Sequence, residues 1–519
     1  MSRFLLVSLK TKAILQETTL HRRREKLGAM TNGLGLGDAY GATIQRIKAQ
    51  EGDRARLGIA ALMWVSHSER PLRADEICHA LAMEIGSRDI NASNIPSIRT
   101  VLSCCQGLAA VDNGSSTIRL IHFTLKEYLS GRADLFDRPH SKIAETCLTY
   151  LNSQTIKDLS ASPSRDPRGT PFLVYSSLYW GAHMRMDLSD CARYLALSLL
   201  DQYDNHISAE VLWESAAGRH FCSRKPFSAL HCISYFGIAE IAIDLIRTKR
   251  WDVNQRDSMG LTPLMWAASC GGEETVKLLL RKHAEPDMPD TEYGRTALSW
   301  AAGGGHELVV LLFLGRRFAN PRGTGPRWGQ VQRVMKALLG GKCVNPDRPD
   351  NYGRTPLSWA ARYGNDGTVR LLLEREDVSP DRPDNDGQTP LSLAARNGHD
   401  EVVKLLLEQK AVNPDRPDNR GQTPLLWAAR NGNDGVVKLL LEQKDISPNR
   451  PDDGGRTPLL WAAYNGHDGA VKVLLEREDV SSDILGNCGQ TPLWWAAYHG
   501  HGGVVKLLQA RNVATPSVV

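Results

Sequence analysis

The chain has 519 residues, of which 23% are charged and 42% are hydrophobic, and its formal net charge is +5. A chain of this length is too long for one compact core, so more than one domain is expected. The composition is that of an ordinary globular protein, and so small a net charge does not by itself predict binding to nucleic acid or to a membrane.

The apolar runs and the cysteines indicate the compartment in which the protein resides. The run FLLVSL at residues 4–9 is far shorter than a membrane span, and no other stretch reaches about eighteen uncharged apolar residues. The ten cysteines include no C-x-x-C pair, so we expect reduced thiols that mostly fill the core. These features predict a cytoplasmic or nuclear protein with no membrane attachment, no metal site and no cofactor.

Residues 55–130 show the pattern of three helices followed by a hairpin. Helical patterns run over Arg56–Ser66, onward from Pro71, and over Ile95–Cys105. Two short strands are then predicted on either side of Asn113-Gly114, a pair that favours tight hairpin turns. This order of elements predicts a winged helix.

From residue 226 onward one pattern recurs with a period of 34 residues. Thr-Pro or a close variant occurs at eight places, which begin at residues 228, 262, 296, 355, 389, 423, 457 and 491. The one irregular spacing, from 296 to 355, exceeds the period by 25 residues and therefore marks an insertion. A fixed period of this length predicts a solenoid, in which each unit buries its apolar faces against its neighbours.

Each repeat encodes two short helices and a loop. In the repeat that begins at Thr389, this threonine is the predicted N-cap and Pro390 is the first helical residue. Asn397-Gly398 ends the first helix, and an apolar stripe over Val402–Leu407 predicts the second. The proline-rich segment NPDRPDN then predicts a turn.

Tryptophan recurs at one position of the first helix, where Leu393 stands once instead. A ladder of aromatic ligand-binding residues is one interpretation, and a row of core residues is the favoured one, since each buried indole removes roughly 150–250 Å² from water. Histidine recurs after glycine at another position, where a hydrogen bond to the neighbouring loop is favoured over metal binding. The tryptophans are Trp266, Trp300, Trp359, Trp427, Trp461 and Trp495, and the histidines are His306, His399, His467 and His501.

By register the insertion spans residues 308–332. It starts apolar and continues with four arginines and no acidic residue. One interpretation is a basic loop that contacts a partner. The favoured one is a tolerated extrusion or translated intron sequence, because its removal restores an uninterrupted repeat.

The repeat resembles the ankyrin repeat through the pattern G-x-TPL-x-x-AA-x-x-G-H in Gly387–His399 and the stripe in Val402–Leu407. Eight copies cover residues 226–511. In ankyrin proteins the hairpin loops and first helices line a concave groove that binds a protein partner. Carried over to this sequence, the partner-binding candidates are Asn351, Tyr352, Arg354, Arg362, Tyr363, Asn385, Asp386, Gln388, Arg396, Asn397, Asn419, Arg420, Gln422, Arg430, Asn431, Asp453, Arg456, Tyr464, Asn465, Asn487, Gln490, Tyr498 and His499.

A second resemblance covers about residues 20–225. The segments ERPLRADEICHAL, IRLIHFTLKEYL, CLTYLN and PFLVYSSLYWGAHM, in this order, are similar to the region that follows the NACHT nucleotide-binding domain in fungal STAND signalling proteins. That family's NTPase needs the phosphate loop G-x-x-x-x-G-K-[ST], which this sequence lacks. The resemblance therefore implies the C-terminal, regulatory and sensor part of such a receptor.

Together these patterns predict an all-α dominated fold, in which a winged-helix and helical linker region precedes an ankyrin-repeat solenoid of helix-turn-helix units with hairpin loops. The expected boundaries are a helical remnant of the post-NACHT region at 1–54, a winged helix at 55–135, a helical linker at 136–225, the repeats at 226–511 and a disordered tail at 512–519.

Three functional hypotheses remain, and none includes catalysis, because the sequence contains no G-x-S-x-G, H-E-x-x-H, kinase or paired-cysteine signature. The first is a non-catalytic sensor or scaffold of a STAND-type receptor, which binds a protein partner, with a full-length NACHT relative as a second candidate partner. The second is a free-standing ankyrin adaptor. The third is a winged-helix DNA-binding regulator, although the third helix carries one arginine and no lysine, and the repeat at residues 388–421 is neutral. No nucleic-acid partner is therefore expected.

Overall fold

The computed structural model describes residues 36–112, 114–132, 134–161, 169–217, 227–248, 251–315 and 344–514. Helices dominate these residues, and the predicted fold class is confirmed. The chain divides into two compact units, Met1–Cys232 and Ile233–Val519. The domain boundaries stay predictions.

The described part of the first unit begins with α1 Leu36–Lys48, which lies before the predicted winged helix. The elements of the winged-helix region are α2 Asp53–His67, α3 Ala74–Ala82, α4 Ile98–Cys104, β1 Ala109–Asp112, β2 Thr117–Leu120 and α5 Phe123–Ser130. The strands β1 and β2 pair antiparallel, and an isolated bridge joins Arg73 to Thr117. The segment ahead of α3 therefore extends the hairpin, because the Ile118 N–H donates to the Leu72 carbonyl at 2.8 Å.

Five helices follow in the first unit: α6 Pro139–Leu151, α7 Gln154–Ala161, α8 Leu173–Met186, α9 Asp190–Leu200 and α10 Ile207–Ala217. Helix α8 packs against α6 and α10. Its N-terminal end supplies Phe172 and Tyr175 to an aromatic core, where the ring of Trp64 from α2 contacts both. These three side chains are nearly or fully buried, so the packing of the helices around α8 rests on aromatic burial.

A histidine cluster joins α2, α6 and α8, with His183 fully buried and His67 and His140 half-buried. The Nδ1 atoms of His140 and His183 lie 2.8 Å apart, and Nε2 of His183 lies 2.9 Å from the hydroxyl of Tyr175. The rings of His67 and His140 are 5.5 Å apart. Burial, together with the neighbouring imidazoles, lowers the pKa of His183 to about 3. The cluster is therefore neutral at physiological pH.

The repeats follow as pairs of helices. The pairs are α11 Ala229–Phe236 with α12 Ala239–Thr248, α13 Pro263–Ser269 with α14 Glu273–Arg281, α15 Ala297–Gly303 with α16 Glu307–Leu314, α17 Pro356–Tyr363 with α18 Asp366–Leu373, α19 Pro390–Asn397 with α20 Asp400–Leu407, α21 Pro424–Asn431 with α22 Asp434–Leu441, α23 Pro458–Asn465 with α24 Asp468–Leu475, and α25 Pro492–Tyr498 with α26 Gly502–Ala514.

Local chemistry sets the ends of each first helix. At α19 the hydroxyl of Thr389 accepts from the Ser392 N–H at 3.2 Å, and Pro390 occupies the first turn, where no backbone donor is needed. Gly398 ends the helix at φ 75°, a left-handed conformation that glycine adopts without a side-chain clash. The predicted cap, start and stop of this helix are confirmed.

Stacking arranges the repeats in two layers. Each first helix from α13 to α25 contacts the first helix of the next repeat, and each second helix from α12 to α26 contacts the next second helix. The alanine pairs of the first helices, such as Ala394 and Ala395, are fully buried between repeats. Small side chains at these positions let neighbouring helices approach closely, so the stack is continuous over the described repeats.

The structure differs from the predicted insertion at its N-terminal end. Residues 308–314 belong to α16, where Val309, Val310 and Phe313 are buried and the helix contacts both α14 and α18. The apolar run is thus the second helix of its own repeat, because its stripe fits the same groove as in the neighbouring repeats. The rest of the predicted insertion, from residue 316, lies outside the described residues, as do residues 1–35 and the end of the predicted tail.

Candidate functional site

The candidate residues lie on one surface of the repeats, which we call the first-helix face: helices α17, α19, α21, α23 and α25 and the loops directly before them. Its base is a row of tryptophans on the first helices. Trp427 Nε1 donates to Asp418 Oδ2 at 3.0 Å, which ties the helix to the loop of the same repeat. The same bond occurs in four other repeats, between Trp266 and Asp257, Trp300 and Asp290, Trp359 and Asp350, and Trp461 and Asp452.

Four of these tryptophans are buried core residues, as predicted, whereas Trp300 is half-buried, as is Trp495 of the predicted row. Trp266, Trp359, Trp427 and Trp461 are at most 7% exposed. Arginine guanidinium groups cover four of the rings, those of Trp300, Trp359, Trp427 and Trp461. Arg396 and Arg430 lie 4.5 and 5.2 Å from the Trp427 centroid. Arg430 and Arg456 each lie 4.2 Å from the Trp461 centroid. Five of the candidate arginines therefore make cation–π contacts with buried indoles: Arg354, Arg362, Arg396, Arg430 and Arg456.

In the repeat with Leu393, the buried loop aspartate has a different hydrogen-bond donor. Its loop aspartate, Asp384, has no indole to bind, and Nε of Arg354 from the preceding repeat donates to Asp384 Oδ2 at 3.0 Å. The Asp384 side chain is 1% exposed and that of Arg354 is 14% exposed. An arginine–carboxylate pair between repeats thus replaces the tryptophan–carboxylate bond within one repeat.

Asparagines at the loop tips connect neighbouring loops. The side-chain amide of Asn419 donates to the Asn385 carbonyl at 2.9 Å, and that of Asn385 donates to the Asn351 carbonyl at 3.0 Å. Asn351 and Asn487 make the equivalent bonds to Glu292 and Asp453. Although these asparagines are exposed, their amides already join one repeat to the next.

Two candidates, Gln388 and Gln422, are wrongly placed on the surface by the sequence pattern. They are 6% and 3% exposed. The N–H of Gln388 donates to Asp384 Oδ1 at 2.8 Å, and that of Gln422 donates to Asp418 Oδ1 at 2.9 Å. Because the aspartate holds this turn from inside, the side chain that follows points inward rather than to solvent.

The structure places the other candidates on the first-helix face with different exposures. Arg354, Arg362, Arg430, Arg456, Tyr464, Asn465 and Gln490 are half-buried. The exposed candidates are Asn351, Tyr352, Tyr363, Asn385, Asp386, Arg396, Asn397, Asn419, Arg420, Asn431, Asp453, Asn487, Tyr498 and His499.

The C-terminal end of this face is aromatic. Tyr464 and Tyr498 occupy the repeat position that Arg362, Arg396 and Arg430 hold in earlier repeats. The ring of Tyr498 stacks on that of Trp494 at 5.0 Å between centroids, and these side chains are 69% and 42% exposed. The face thus changes from arginines to exposed aromatic rings along its length.

The histidine row has the predicted structural role. Nε2 of His399 lies 3.0 Å from the Arg362 carbonyl of the preceding repeat, and Nε2 of His467 lies 3.0 Å from the Arg430 carbonyl. His306 and His501 make the same contact with Ser269 and Tyr464. Asn365 and Asn433 substitute for histidine with amide bonds to the preceding helix end. Each repeat is therefore linked to the end of the helix before it.

Sequence reasoning missed the loop acids as site residues. These acids form ion pairs between the loops of neighbouring repeats. Arg382 Nη1 lies 3.1 Å from Asp347 Oδ2, and Arg416 Nη1 lies 3.1 Å from Asp381 Oδ2. The signal was present in the sequence, because the segment D-R-P-D repeats with a period of 34 residues. Within one repeat this segment indicates only a turn, since the carboxylate that pairs with each arginine lies one repeat away.

The arginines of the first-helix face repel one another. Burial lowers the pKa of Arg430 most, and repulsion from Arg456 and Arg396 lowers it further, ahead of the opposing attraction of Asp452. Burial and then Arg354 lower the pKa of Arg362, with Arg396 contributing as well. This face therefore carries a concentrated positive charge.

Two further findings concern the described part of the chain. No helix there is long and apolar enough to cross a membrane. In the same residues no group of three or more His, Cys, Asp or Glu side chains is arranged to hold a metal ion.

Comparison with protein families matches both regions. Residues 46–138 match the family described as "GPI inositol-deacylase, winged helix domain". Residues 209–322, 374–452 and 445–516 match "Ankyrin repeats", and residues 352–385 match "Ankyrin repeat".

Curated proteins with similar segments are large. They include human "Transient receptor potential cation channel subfamily A member 1", 33% identical over 28% of this chain, and human "Neurogenic locus notch homolog protein 1", 30% identical over 28%. "Ankyrin repeat and KH domain-containing protein mask" of Drosophila melanogaster is 37% identical over 20% of this chain. The matched segments cover 11%, 6% and 3% of these relatives' own lengths. The chain thus combines a winged-helix domain of the GPI inositol-deacylase type with ankyrin repeats, which point to a protein–protein interaction module.

Proposed function

We propose that this chain is the non-catalytic sensor or scaffold part of a STAND-type signalling receptor, which binds a protein partner through its first-helix face. The observation that carries the proposal is the composition of that face. Pre-positioned arginines and exposed tyrosines are the residue types that most often anchor protein interfaces, and here they lie on one continuous surface.

The opposite surface of the repeats differs in chemistry. We call it the second-helix face: the exposed residues at the ends and outer sides of α18, α20, α22 and α24. In α20 these are Asp400, Glu401 and Lys404, and Glu408 follows the helix. Exposed charges of both signs, with acids in excess, are typical of a solvated surface, which supports the first-helix face as the binding side.

In a full receptor, partner binding at the repeats would bias a nucleotide-controlled equilibrium between inactive and assembled states. The winged helix of the GPI inositol-deacylase type, followed by the repeats, supports this placement. We place the protein in the cytoplasm, where the eight free thiols of the described residues would persist. A full-length NACHT relative is a second candidate partner.

Site-specific photocrosslinking tests the binding face. Benzoylphenylalanine is introduced at Asn397 or Asn431 on the first-helix face, and at Lys404 or Lys438 on the second-helix face as matched controls, since all four side chains are exposed. We expect one protein to be crosslinked from both asparagine positions and from neither lysine position. Crosslinks from the lysine positions alone would contradict the proposal.

The receptor assignment has a separate test in the gene. An in-frame phosphate loop upstream of the codon for Met1, in the same transcript, would support the STAND receptor. A transcript that starts at this codon, with its own promoter, would favour the free-standing adaptor instead.

A further inference from the structure

The arginines of the first-helix face differ in what they bind. Arg354 and Arg456 pair with the carboxylates of Asp384 and Asp452. Four others have no carboxylate within ion-pair distance among the described residues: Arg362, Arg396, Arg420 and Arg430. Of these, Arg362, Arg396 and Arg430 each border a tryptophan ring. These four are cations without an acidic partner on a face where cations already repel one another.

Stacking on tryptophan rings restricts the conformations of these arginine side chains before a ligand binds. A guanidinium group that lies on an indole keeps its N–H edge free to donate in the plane of the group. The rotamer entropy that a flexible surface arginine would lose on binding is therefore partly lost already in the folded protein. Trp427 and Trp461 fix Arg396 and Arg430 in this way.

The spacing of the cations matches an extended peptide. Arg396 and Arg430 both contact the ring of Trp427, so their guanidinium carbons are at most about 10 Å apart. Alternate side chains of an extended peptide point to one side at intervals of about 7 Å. Long acidic side chains at alternate positions can therefore each reach one guanidinium group.

Charge is divided between the two faces of the repeats. Around α20 the exposed acids Asp400, Glu401 and Glu408 outnumber the exposed cations Lys404 and Lys410. Around α22 of the next repeat, the exposed acids Asp434, Glu442 and Asp445 likewise outnumber Lys438 and Lys444. The neutral repeat at residues 388–421 thus has a basic first-helix face and an acidic second-helix face. An anionic chain is therefore attracted to the first-helix face.

We propose that the first-helix face binds an extended acidic peptide segment of its partner, whose Asp and Glu carboxylates pair with Arg362, Arg396, Arg420 and Arg430. This inference rests on the proposed function and adds the chemistry of the partner. A nucleic acid is the weaker candidate, because four free cations beside an acidic second face give little of the phosphate contact that such binding requires.

A peptide-binding assay tests the chemistry directly. The probe is a fluorescein-labelled peptide of six Glu-Ser pairs, with six Gln-Ser pairs as its control, titrated with the full chain at low salt and followed by fluorescence anisotropy. We expect saturable binding of the glutamate peptide that weakens as salt is added. Equal binding of the two peptides, or no binding of either, would overturn the inference.

Charge-reversal variants locate the site. R396E/R430E is expected to weaken binding of the glutamate peptide by on the order of tenfold or more. K404E/K438E makes the same charge change on the second-helix face and is expected to leave affinity within about twofold. R396Q/R430Q, checked by circular dichroism, separates lost recognition from misfolding. Equal losses in both charge-reversal variants would show a general charge effect and overturn the inference.

Two competing occupants give different results. A labelled single-stranded oligonucleotide of the same length that binds more tightly than the glutamate peptide, and is lost in R396E/R430E, would assign the face to nucleic acid. Self-association in sedimentation that is abolished by R396E/R430E would assign it to a second copy of the chain. Either result overturns the acidic-peptide inference.

A random-peptide display selection separates this inference from the proposed function. The full chain serves as bait, and R396E/R430E serves as the counter-selector. Clones rich in Asp and Glu that are lost on the variant support both proposals. Clones that depend on the face but carry no excess of acidic residues overturn the inference and leave protein binding at this face intact. Clones that bind both baits equally overturn both.

Discussion

Trp427 donates a 3.0 Å hydrogen bond from its indole Nε1 to Asp418, which lies nine residues earlier in the chain. The bond crosses from the first helix to the loop that precedes it, and both side chains are buried. The same ring carries Arg396 from the preceding repeat on its surface. One indole thus satisfies a buried carboxylate and positions an arginine on the candidate binding face.

Trp427→Leu, which copies the residue at the equivalent position 393, is expected to lower the free energy of unfolding by about 2–4 kcal/mol. The change leaves Asp418 Oδ2 without its donor and leaves a space that leucine does not fill. Urea unfolding measures the loss. In the Asp418→Asn background, Trp427→Leu should lower the free energy of unfolding by less, since residue 418 no longer carries a buried charge. An equal loss in both backgrounds would show that the hydrogen bond contributes nothing.

Arg354→Met is expected to destabilise the protein by about 3–5 kcal/mol, because it leaves the buried Asp384 carboxylate without a cation. Arg362→Met is the matched control, since Arg362 is half-buried and, within the described residues, has no ion pair. Thermal unfolding of the two variants gives the comparison. Similar melting temperatures would mean that the pair between repeats has no net stabilising effect.

Gly387→Ala is expected to cost about 1–3 kcal/mol. Gly387 has φ 81°, and an added Cβ would lie 2.7 Å from the backbone nitrogen of Asn419 in the next repeat. Gly502→Ala is the control, because no atom lies within 4 Å of its added Cβ and its φ is not left-handed. Denaturant unfolding should show a loss for the first variant only, and equal stability of the two would contradict the expected clash.

Acid should destabilise the first unit through its histidine cluster. Burial lowers the pKa of His183 to about 3, so between this value and its ordinary pKa of 6.5 the unfolded state binds a proton that the folded state does not. The contribution of His183 is therefore complete above pH 6.5 and falls by up to about 1.4 kcal/mol for each pH unit below it. Burial lowers the pKa of His67 and His140 as well, which adds to the effect.

Urea unfolding at a series of pH values from 7.5 to 4.5 measures this dependence. His183→Phe removes the titrating group and, although it alters packing, should reduce the slope of stability against pH. An unchanged slope in the variant would show that other groups govern the acid sensitivity.

The ends of the helices in each repeat could be predicted from the sequence. The N-cap of Thr389, the stop at Gly398 and the stripe of Val402–Leu407 were all predicted correctly. Each depends on residues within about four positions of one another, so local capping and helical periodicity are sufficient. The order of helices and hairpin in the winged helix followed from the same kind of signal.

The first-helix face was predicted less completely, for a physical reason. Exposure at one position depends on side chains 34 residues away, which the sequence does not place. The amide of Asn419 therefore proved to bond the loop one repeat earlier, and Gln388 proved to be buried beside the turn that Asp384 holds. The stacking of Arg396 on Trp427 could not be predicted either, since it depends on how closely two repeats approach.

By itself, then, the sequence determined the repeating unit, its helices and its turns, because these rest on short-range hydrogen bonds and periodic burial. Only the tertiary structure decided which polar side chains join repeats and which remain free. That choice depends on the distance between stacked repeats, which brings Arg354 to Asp384 but leaves Arg396 and Arg430 without a carboxylate partner among the described residues.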